Sequence, residues 1–298
     1  MAATPRVVLV TRPSHYELLL ARHATREQAR FFLEARGQSI EALEEQHERF
    51  EAARRHVAGS VPTAWRSARV SRDDLDRFLF EPTDIVVALG QDGLVANVAK
   101  YLDGQVVIGL DPEPGANGGM LVRHSPRDAA GLLDAAAEPS PSVEERTLVE
   151  CRLDDGQRLL ALNELFIGHV SHQTARYRLE AGGATERQMS SGMIVATGTG
   201  ATGWASSICR GLAEPPPLPA PGERALAFLV REAFASPISA VELTAGSVAG
   251  DESLLLTSEM DTGGVVFGDG IEADRAEFGY GMRAEVRVAG ERLRLLAG

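Results

Sequence analysis

Asp84–Leu89 is a short, almost continuous apolar run. Gly90-Gln91-Asp92-Gly93 follows it, and apolar residues then recur at helical spacing over 94–102. A strand without polar alternation has to be buried on both faces, as in a parallel sheet covered by helices on each side. The succession of strand, glycine turn and helix leaves backbone N–H groups free beyond the turn, where open α/β sheets receive phosphates. Asp92 is the oddity in that turn. Phosphate oxygens repel a carboxylate unless a cation screens it or it has a proton to take. Two readings stand for it: a general base for phosphoryl transfer, or an Asx-type turn in which Asp92 bonds its own backbone.

Around this stretch, residues 6–11 read as a first buried strand. Residues 25–57 are helical in composition and are interrupted at Gly37-Gln38-Ser39, where Gly37 ends one helix and Ser39 caps the next. Residues 65–70 read as a second strand. Ser71-Arg72-Asp73-Asp74 resembles a capping box opening a short helix to Phe80. Residues 105–110 form another apolar strand, and 111–119, DPEPGANGG, a turn-rich loop after it. Alternating strands and helices predict an α/β domain with a parallel sheet and ligands at the carboxyl ends of its strands.

Residues 126–137 read as a weak helix and 138–142 as a linker, which divides the chain into an α/β domain, 1–138, and a second domain, 139–298. In the second, short apolar runs at 146–153, 158–167, 177–180, 193–196, 225–230, 240–243, 254–257, 264–267 and 284–288 predict an antiparallel, β-rich, sandwich-like fold. Its one expected helix covers 202–211. The segment 213–222, AEPPPLPAPG, lacks the N–H donors for a sheet and reads as a surface loop.

Composition narrows the function. A formal charge of −12 argues against nonspecific binding to nucleic acid or to an anionic membrane. Lys100 is the only lysine and no GK[ST] follows a glycine loop, which excludes a Walker-type phosphate loop. Cys151 and Cys209 are too few for a disulfide framework and read as inert thiols. No apolar run approaches membrane-spanning length, and a strand pattern beginning at Arg6 leaves no room for a leader, so the expected location is cytoplasmic.

Two stretches of the second half carry polar groups out of place. In ALNELFIG, 161–168, Asn163 and Glu164 interrupt an apolar strand. They mark either a bulge with Glu164 in solvent, or an amide and a carboxylate that hold ligand hydroxyls and an aromatic amine. In SSGMIVATGTGATGW, 190–204, an apolar strand again runs into a Gly/Thr turn and a helix, and Trp204 offers a stacking face. The alternative there is a turn capped by Thr202 with Trp204 in the core. His169 and His172 are spaced wrongly for a zinc site and read as surface residues.

Taken in order, GQDG, ALNE, the TGTG turn with Trp204, and the late Gly268-Asp269-Gly270 resemble the NAD kinases, especially the mitochondrial-type branch and its bacterial relatives. The resemblance covers nearly the whole chain. It implies transfer of the γ-phosphoryl group of ATP, or of polyphosphate, to the 2′-hydroxyl of the adenosine ribose of NAD, with Mg²⁺ accompanying ATP, in a homodimer or tetramer. It implies Asp92 as general base and Gly90, Gln91 and Gly93 as the donor phosphate turn. It further implies Asn163, Glu164, Thr197, Thr199, Gly200, Thr202, Trp204 and Asp269 as NAD-binding residues, with no protein ligand to a metal assigned. Two positions depart from the family's GGDGT: Gln91 replaces a glycine and Leu94 a threonine. They leave two alternatives open: a noncatalytic NAD(P)-binding regulator or partner subunit, and a kinase for another acceptor.

Overall fold

The computed structural model describes residues 4–113 and 119–297. The chain divides into two compact units, 1–143 together with 294–298, and 144–293. The centre of the loop expected at 111–119, residues 114–118, lies outside the described residues.

The first unit runs β1 (Arg6–Thr11), α1 (His15–His23), α2 (Arg26–Glu34), α3 (Ile40–Gly59), β2 (Arg66–Ser71), β3 (Asp84–Leu89), α4 (Asp92–Ala99), β4 (Val106–Leu110) and α5 (Ala129–Ala136). Its strands are all parallel, in the order β2-β1-β3-β4, and Arg294 and Leu295 add on beside Val106 and Val107. Val7, Leu9, Ile85, Val87 and Ile108 pack with Val57 of α3 and Leu133 of α5. The alternate residues Val8, Val10, Val86 and Ala88 are just as buried, so both faces of the sheet are covered, as the unbroken apolar run requires. Asp84 starts β3 as a buried carboxylate, held by Arg6 through Nε (2.8 Å) and Nη2 (2.6 Å) and by the Glu81 N–H (2.7 Å).

The helical region breaks at Gly37, whose φ of 69° suits glycine, and Ser39 accepts from the Ala42 N–H at 3.4 Å. Helix α1 was not foreseen. Its start is a reciprocal capping box, in which Ser14 Oγ accepts from Glu17 N (3.2 Å) and Glu17 Oε2 from Ser14 N (2.7 Å). The box expected at Ser71 does not form. Residues 72–77 make a 3₁₀ segment with no side-chain cap, and Asp73 pairs with Arg72 instead.

The second unit contains β5 (Val143–Leu153, entering from the first), β6 (Arg158–Ala161), β7 (Glu164–His169), β8 (Ala175–Ala181), β9 (Ala184–Ser190), β10 (Met193–Ala196), α6 (Trp204–Cys209), β11 (Ala225–Val230), β12 (Ala245–Ala249), β13 (Ser253–Ser258), β14 (Gly264–Gly268), β15 (Ile271–Glu277) and β16 (Arg283–Leu296, leaving to the first). Six strands form an antiparallel sheet, β12-β11-β10-β7-β14-β15. Another sheet joins β16, β13, β8 and β9, with β5 and β6 alongside. Leu165, Ile167, Met193, Val195, Leu226 and Phe228 from the first sheet share one core with Tyr177, Leu179, Leu254, Leu256 and Val286 from the second. The alternate residues Phe166, Ile194, Ala196 and Leu229 pack on the other side with Ala205 of α6. This two-residue period is that of a sandwich.

The expected strand 158–167 is two strands, separated at Leu162-Asn163. The expected strand 240–243 is irregular, because Glu186 Oε2 takes the N–H groups of Glu242 (3.0 Å) and Leu243 (3.1 Å) that a neighbouring strand would need. Strand β9 is too polar to announce itself, but it pairs with β8 along its whole length across a Gly182-Gly183 turn with φ of 56° and 81°. Cys151 is buried, its thiol pushed up to about 12 by burial, and Cys209 is pushed up by the same cause; both are free. These are inert thiols. Among the described residues no helix is long and apolar enough to cross a membrane.

Candidate functional site

In the first unit, β1, β3 and β4 stop together at Thr11, Leu89 and Leu110, and a cavity of about 360 Å³ opens beyond them. Arg12, Ser14, Tyr16, His47, Gly90 and Gln91 contribute to its wall. The carboxyl ends of parallel strands are where such folds bind ligands. Gln91 caps α4 with φ −101° and ψ 167°, an extended conformation open to any residue, so its replacement of glycine strains nothing. Its side chain turns away from the helix, and Arg12 Nη2 donates to its Oε1 at 2.9 Å. Leu94 is buried, with Cδ2 against the turn at Gly90, so this position belongs to the core.

Asp92 is the first residue of α4, and the Asx-type turn does not form. Its partners are not local. Oδ2 accepts from Met120 N (2.6 Å), and Oδ1 accepts from both Leu121 N and Val122 N (2.9 Å each). The carboxylate therefore anchors a loop 28 to 30 residues further on. Gly119 lets that loop approach, since a Cβ there would lie 2.6 Å from Asp92 Oδ1. Gly93 has open space on its Cα side.

In the second unit, Asn163 and Glu164 sit where β6 gives way to β7. The break is held from the other end of the chain. Asp269 Oδ2 accepts from Leu162 N (2.9 Å), its Oδ1 accepts from Asn163 N (2.7 Å), and its own N–H donates to Glu164 O (3.0 Å). Asp269 and Gly270 have φ of 54° and 69° and join β14 to β15, the positive-φ pair of a two-residue hairpin. Asp269 is thus a positioning residue for the 162–164 break.

The TGTG turn closes on the same break. Thr197 is fully buried; its N–H donates to Asn163 O (2.9 Å), its hydroxyl donates to Leu162 O, and that hydroxyl accepts from Thr199 N (3.1 Å) and Gly200 N (3.3 Å). A Cβ at Gly200 would overlap the Asn163 carbonyl, and one at Gly198 would overlap the Ala220 carbonyl of the proline-rich loop. Both glycines are required by the chain's own backbone. Thr202 is exposed and donates to Thr199 O (3.2 Å), whereas the buried Thr199 hydroxyl has no hydrogen-bond partner among the described residues. Trp204 is 37% exposed. Its ring lies nearly parallel to Phe166 (9°, centroids 6.2 Å apart), with the Arg231 guanidinium 5.0 Å from its centroid, beside a recess of about 200 Å³ that His169 also lines. His169 Nδ1 accepts from the Ser171 N–H (3.0 Å), and no cluster of three or more metal-ligating side chains occurs among the described residues.

Glu164 is half-buried, and its carboxylate makes no hydrogen bond among the described residues. Burial, reinforced by the Asp269 carboxylate, pushes it up to about 7. Burial beside a second carboxylate is an environment that also tunes active-site carboxyls, although structural sites share it. The native protein then keeps, between the ordinary value and about 7, a proton that the unfolded chain has released. Stability from this group therefore falls as pH rises through that window. Glu164→Gln should be more resistant to urea than the parent at pH 8 and indistinguishable from it at pH 5. Equal differences at both pH values would contradict the assignment.

The structure gathers Asn163, Glu164, Thr197, Gly200 and Asp269 around one break, and places Gly90 and Gln91 on one cavity. Arg12 was missed. Its signal was available, a cation directly after an apolar strand whose end faces the ligand side of a parallel sheet.

No family model matches the chain. Among curated proteins it is 28% identical to the mitochondrial NAD kinase 2 of Rattus norvegicus, over 69% of this chain and 60% of that protein. It is 33% identical to the NAD kinase of Methylococcus capsulatus, over 43% of this chain and 46% of that one. The match thus spans less than two thirds of either relative. Among solved structures, an NAD kinase from Archaeoglobus fulgidus in complex with ATP superposes with a TM-score of 0.60 at 17% identity, covering 98% of this chain and 93% of that one. Yeast NADH kinase complexed with NADH gives 0.63 at 13%, covering 100% and 84%. At those identities the superpositions speak for the fold, which is that of an NAD kinase, and the partial sequence matches, at 28% and 33%, are to NAD kinases as well.

Proposed function

We propose that this protein phosphorylates the 2′-hydroxyl of the adenosine ribose of NAD, with ATP or polyphosphate as donor, to give NADP. The observation that carries the reading is the state of Asp92. A carboxylate has about four lone-pair positions. Both on Oδ1 and one on Oδ2 are taken by backbone N–H groups, which leaves one open on a side chain that cannot turn away. A ribose hydroxyl is a poor nucleophile, and an immobilised acceptor of its proton contributes roughly 10²–10⁴-fold. Asn163 and Glu164 would grip the adenosine part of NAD, the ionised carboxylate accepting from the adenine amine. Mg²⁺ would come with the triphosphate and screen its charge, since metals of this kind need only one or two carboxylates beside substrate phosphates.

A noncatalytic NAD(P)-binding role is the second reading, favoured by the same carboxylate's employment as a loop anchor. Incubation of the purified protein with NAD, ATP and Mg²⁺, followed by a coupled assay for NADP, separates them. Turnover supports the kinase; NAD binding by calorimetry without NADP from either donor supports the second reading; absence of NAD and NADP binding ends both.

The Asn163 side chain makes no hydrogen bond among the described residues, while its backbone carbonyl holds Thr197. Asn163→Ala should therefore weaken NAD binding about tenfold, equivalent to about 1.4 kcal/mol, with the melting temperature unchanged. An unaltered dissociation constant would remove Asn163 from the site.

A further inference from the structure

We infer that Arg12 is the phosphate-binding cation of the cavity beside the GQDG turn, and that Gln91 is the side chain that stations it there. The inference rests on the kinase reading above, because it assigns the cavity to the phosphoryl donor.

Two arginines line the cavity, and they differ in one respect. Arg72 already has a carboxylate, donating to Asp73 Oδ1 through Nε (3.1 Å) and Nη2 (2.9 Å). Arg12 has none among the described residues. Its hydrogen bond is to the neutral amide oxygen of Gln91, on the residue that caps α4 and next to Gly90 of the turn. A guanidinium aimed at a cavity and held by a neutral acceptor is oriented without being neutralised. A phosphate oxygen carries the negative charge that an amide oxygen lacks, and a guanidinium can bond a phosphate through two parallel N–H groups. A phosphate entering the cavity would therefore take Arg12 from Gln91 and leave the amide free to turn to water, since Gln91 is exposed.

The surroundings make that one cation matter. Asp73, Asp111 and Glu113 also line the cavity, and the chain as a whole carries −12. Glu113 is bound by Gln46 (2.9 Å) and Arg49 (3.2 Å), and Asp111 by the Glu113 N–H (2.8 Å). With no lysine near the turn, Arg12 is the uncommitted positive charge that offsets these carboxylates for a polyanion. The departure from a glycine at position 91 then has a use: it supplies the acceptor that points Arg12 into the cavity. A carboxylate in its place would hold Arg12 too firmly to be released.

The test measures binding of ATP with Mg²⁺ by calorimetry, and KM for ATP and for NAD, in the full-length protein. Arg12→Gln should weaken ATP binding and raise KM for ATP at least tenfold, with KM for NAD within twofold of the parent. Gln91→Glu should do the same by locking Arg12, and the double variant should be no worse than either single one. Arg30→Gln, an exposed change on α2, serves as the control and should match the parent. Both site variants alter exposed side chains, and thermal melts coincident with the parent's would confirm folding. If the parent binds ATP and forms NADP while Arg12→Gln does so equally well, the assignment of Arg12 falls and the kinase stands. If Gln91→Glu binds ATP as tightly as the parent, Gln91 does not station Arg12. A parent that neither binds ATP nor makes NADP overturns the kinase reading, and the donor role of Arg12 with it.

Discussion

Asp92→Asn should reduce NADP formation by roughly 10²–10⁴-fold, the usual worth of a positioned general base. The substitution also tests the anchor. Asparagine retains one acceptor oxygen, which can keep Leu121 and Val122, but presents an amide N–H₂ to the Met120 N–H that Oδ2 now receives. Donor facing donor costs about 1–3 kcal/mol. Two readouts separate these effects. A lost proton acceptor lowers kcat while ATP and NAD still bind, whereas a displaced loop lowers stability whether or not substrates are present. Near-parental turnover by Asp92→Asn would remove the carboxylate from the chemistry and leave it a structural anchor.

The largest loss of stability is expected in the second unit, from Glu150→Ala. The Glu150 side chain is 1% exposed and is met by three guanidinium groups: Arg152 Nε at 2.9 Å, Arg287 Nε at 2.9 Å, and Arg158 Nε, whose Nη2 also holds Glu291 at 2.7 Å. Its removal strands three cations around a cavity. Breaking a buried ion pair costs about 3–5 kcal/mol, and about 3 is expected because the arginines are partly exposed and can swing into water. Urea denaturation at pH 7 checks this; a loss below about 1 kcal/mol would class the cluster with exposed ion pairs. Burial alone would push the Glu150 carboxyl up, but the three arginines together outweigh it and hold it below the usual range. A depressed carboxyl contributes stability that is complete above its unfolded value and lost as pH falls through its folded one. The difference between parent and Glu150→Ala should therefore shrink in acid.

What could be read from the linear chain is local. The run 84–89 had to be a doubly buried strand, and it is; Gly37 and Ser39 had to break the helical region, and they do. Strands β10, β11, β13 and β14 declared themselves because their apolar residues are neighbours in sequence. Strands β9, β12 and β15 did not, because their pairing is decided by partners and turns more than by their own side chains. Leu162-Asn163 looked like part of one strand for the same reason.

For the candidate site the division is sharper. The order of GQDG, ALNE, TGTG and GDG was enough to point to the NAD kinases, since the types and spacings are properties of the chain itself. Their jobs were not legible. Asp92 looked like a base or a local turn, and it holds the N–H groups of 120–122. Asp269 looked like a ligand residue, and it holds 162 and 163 from more than 100 residues away. Arg12 could be picked out as a cation at a strand end, but its partner could not: laying β1 beside β3 brings it across to Gln91, 79 residues on. Periodicity and turn chemistry act between near neighbours, so the sequence by itself determined the elements whose apolar residues are contiguous, the likeness to NAD kinases and the chemical inventory. A carboxylate takes whichever donors the topology delivers, and only the tertiary structure decided which of those groups were spent on the fold and which were left for a ligand.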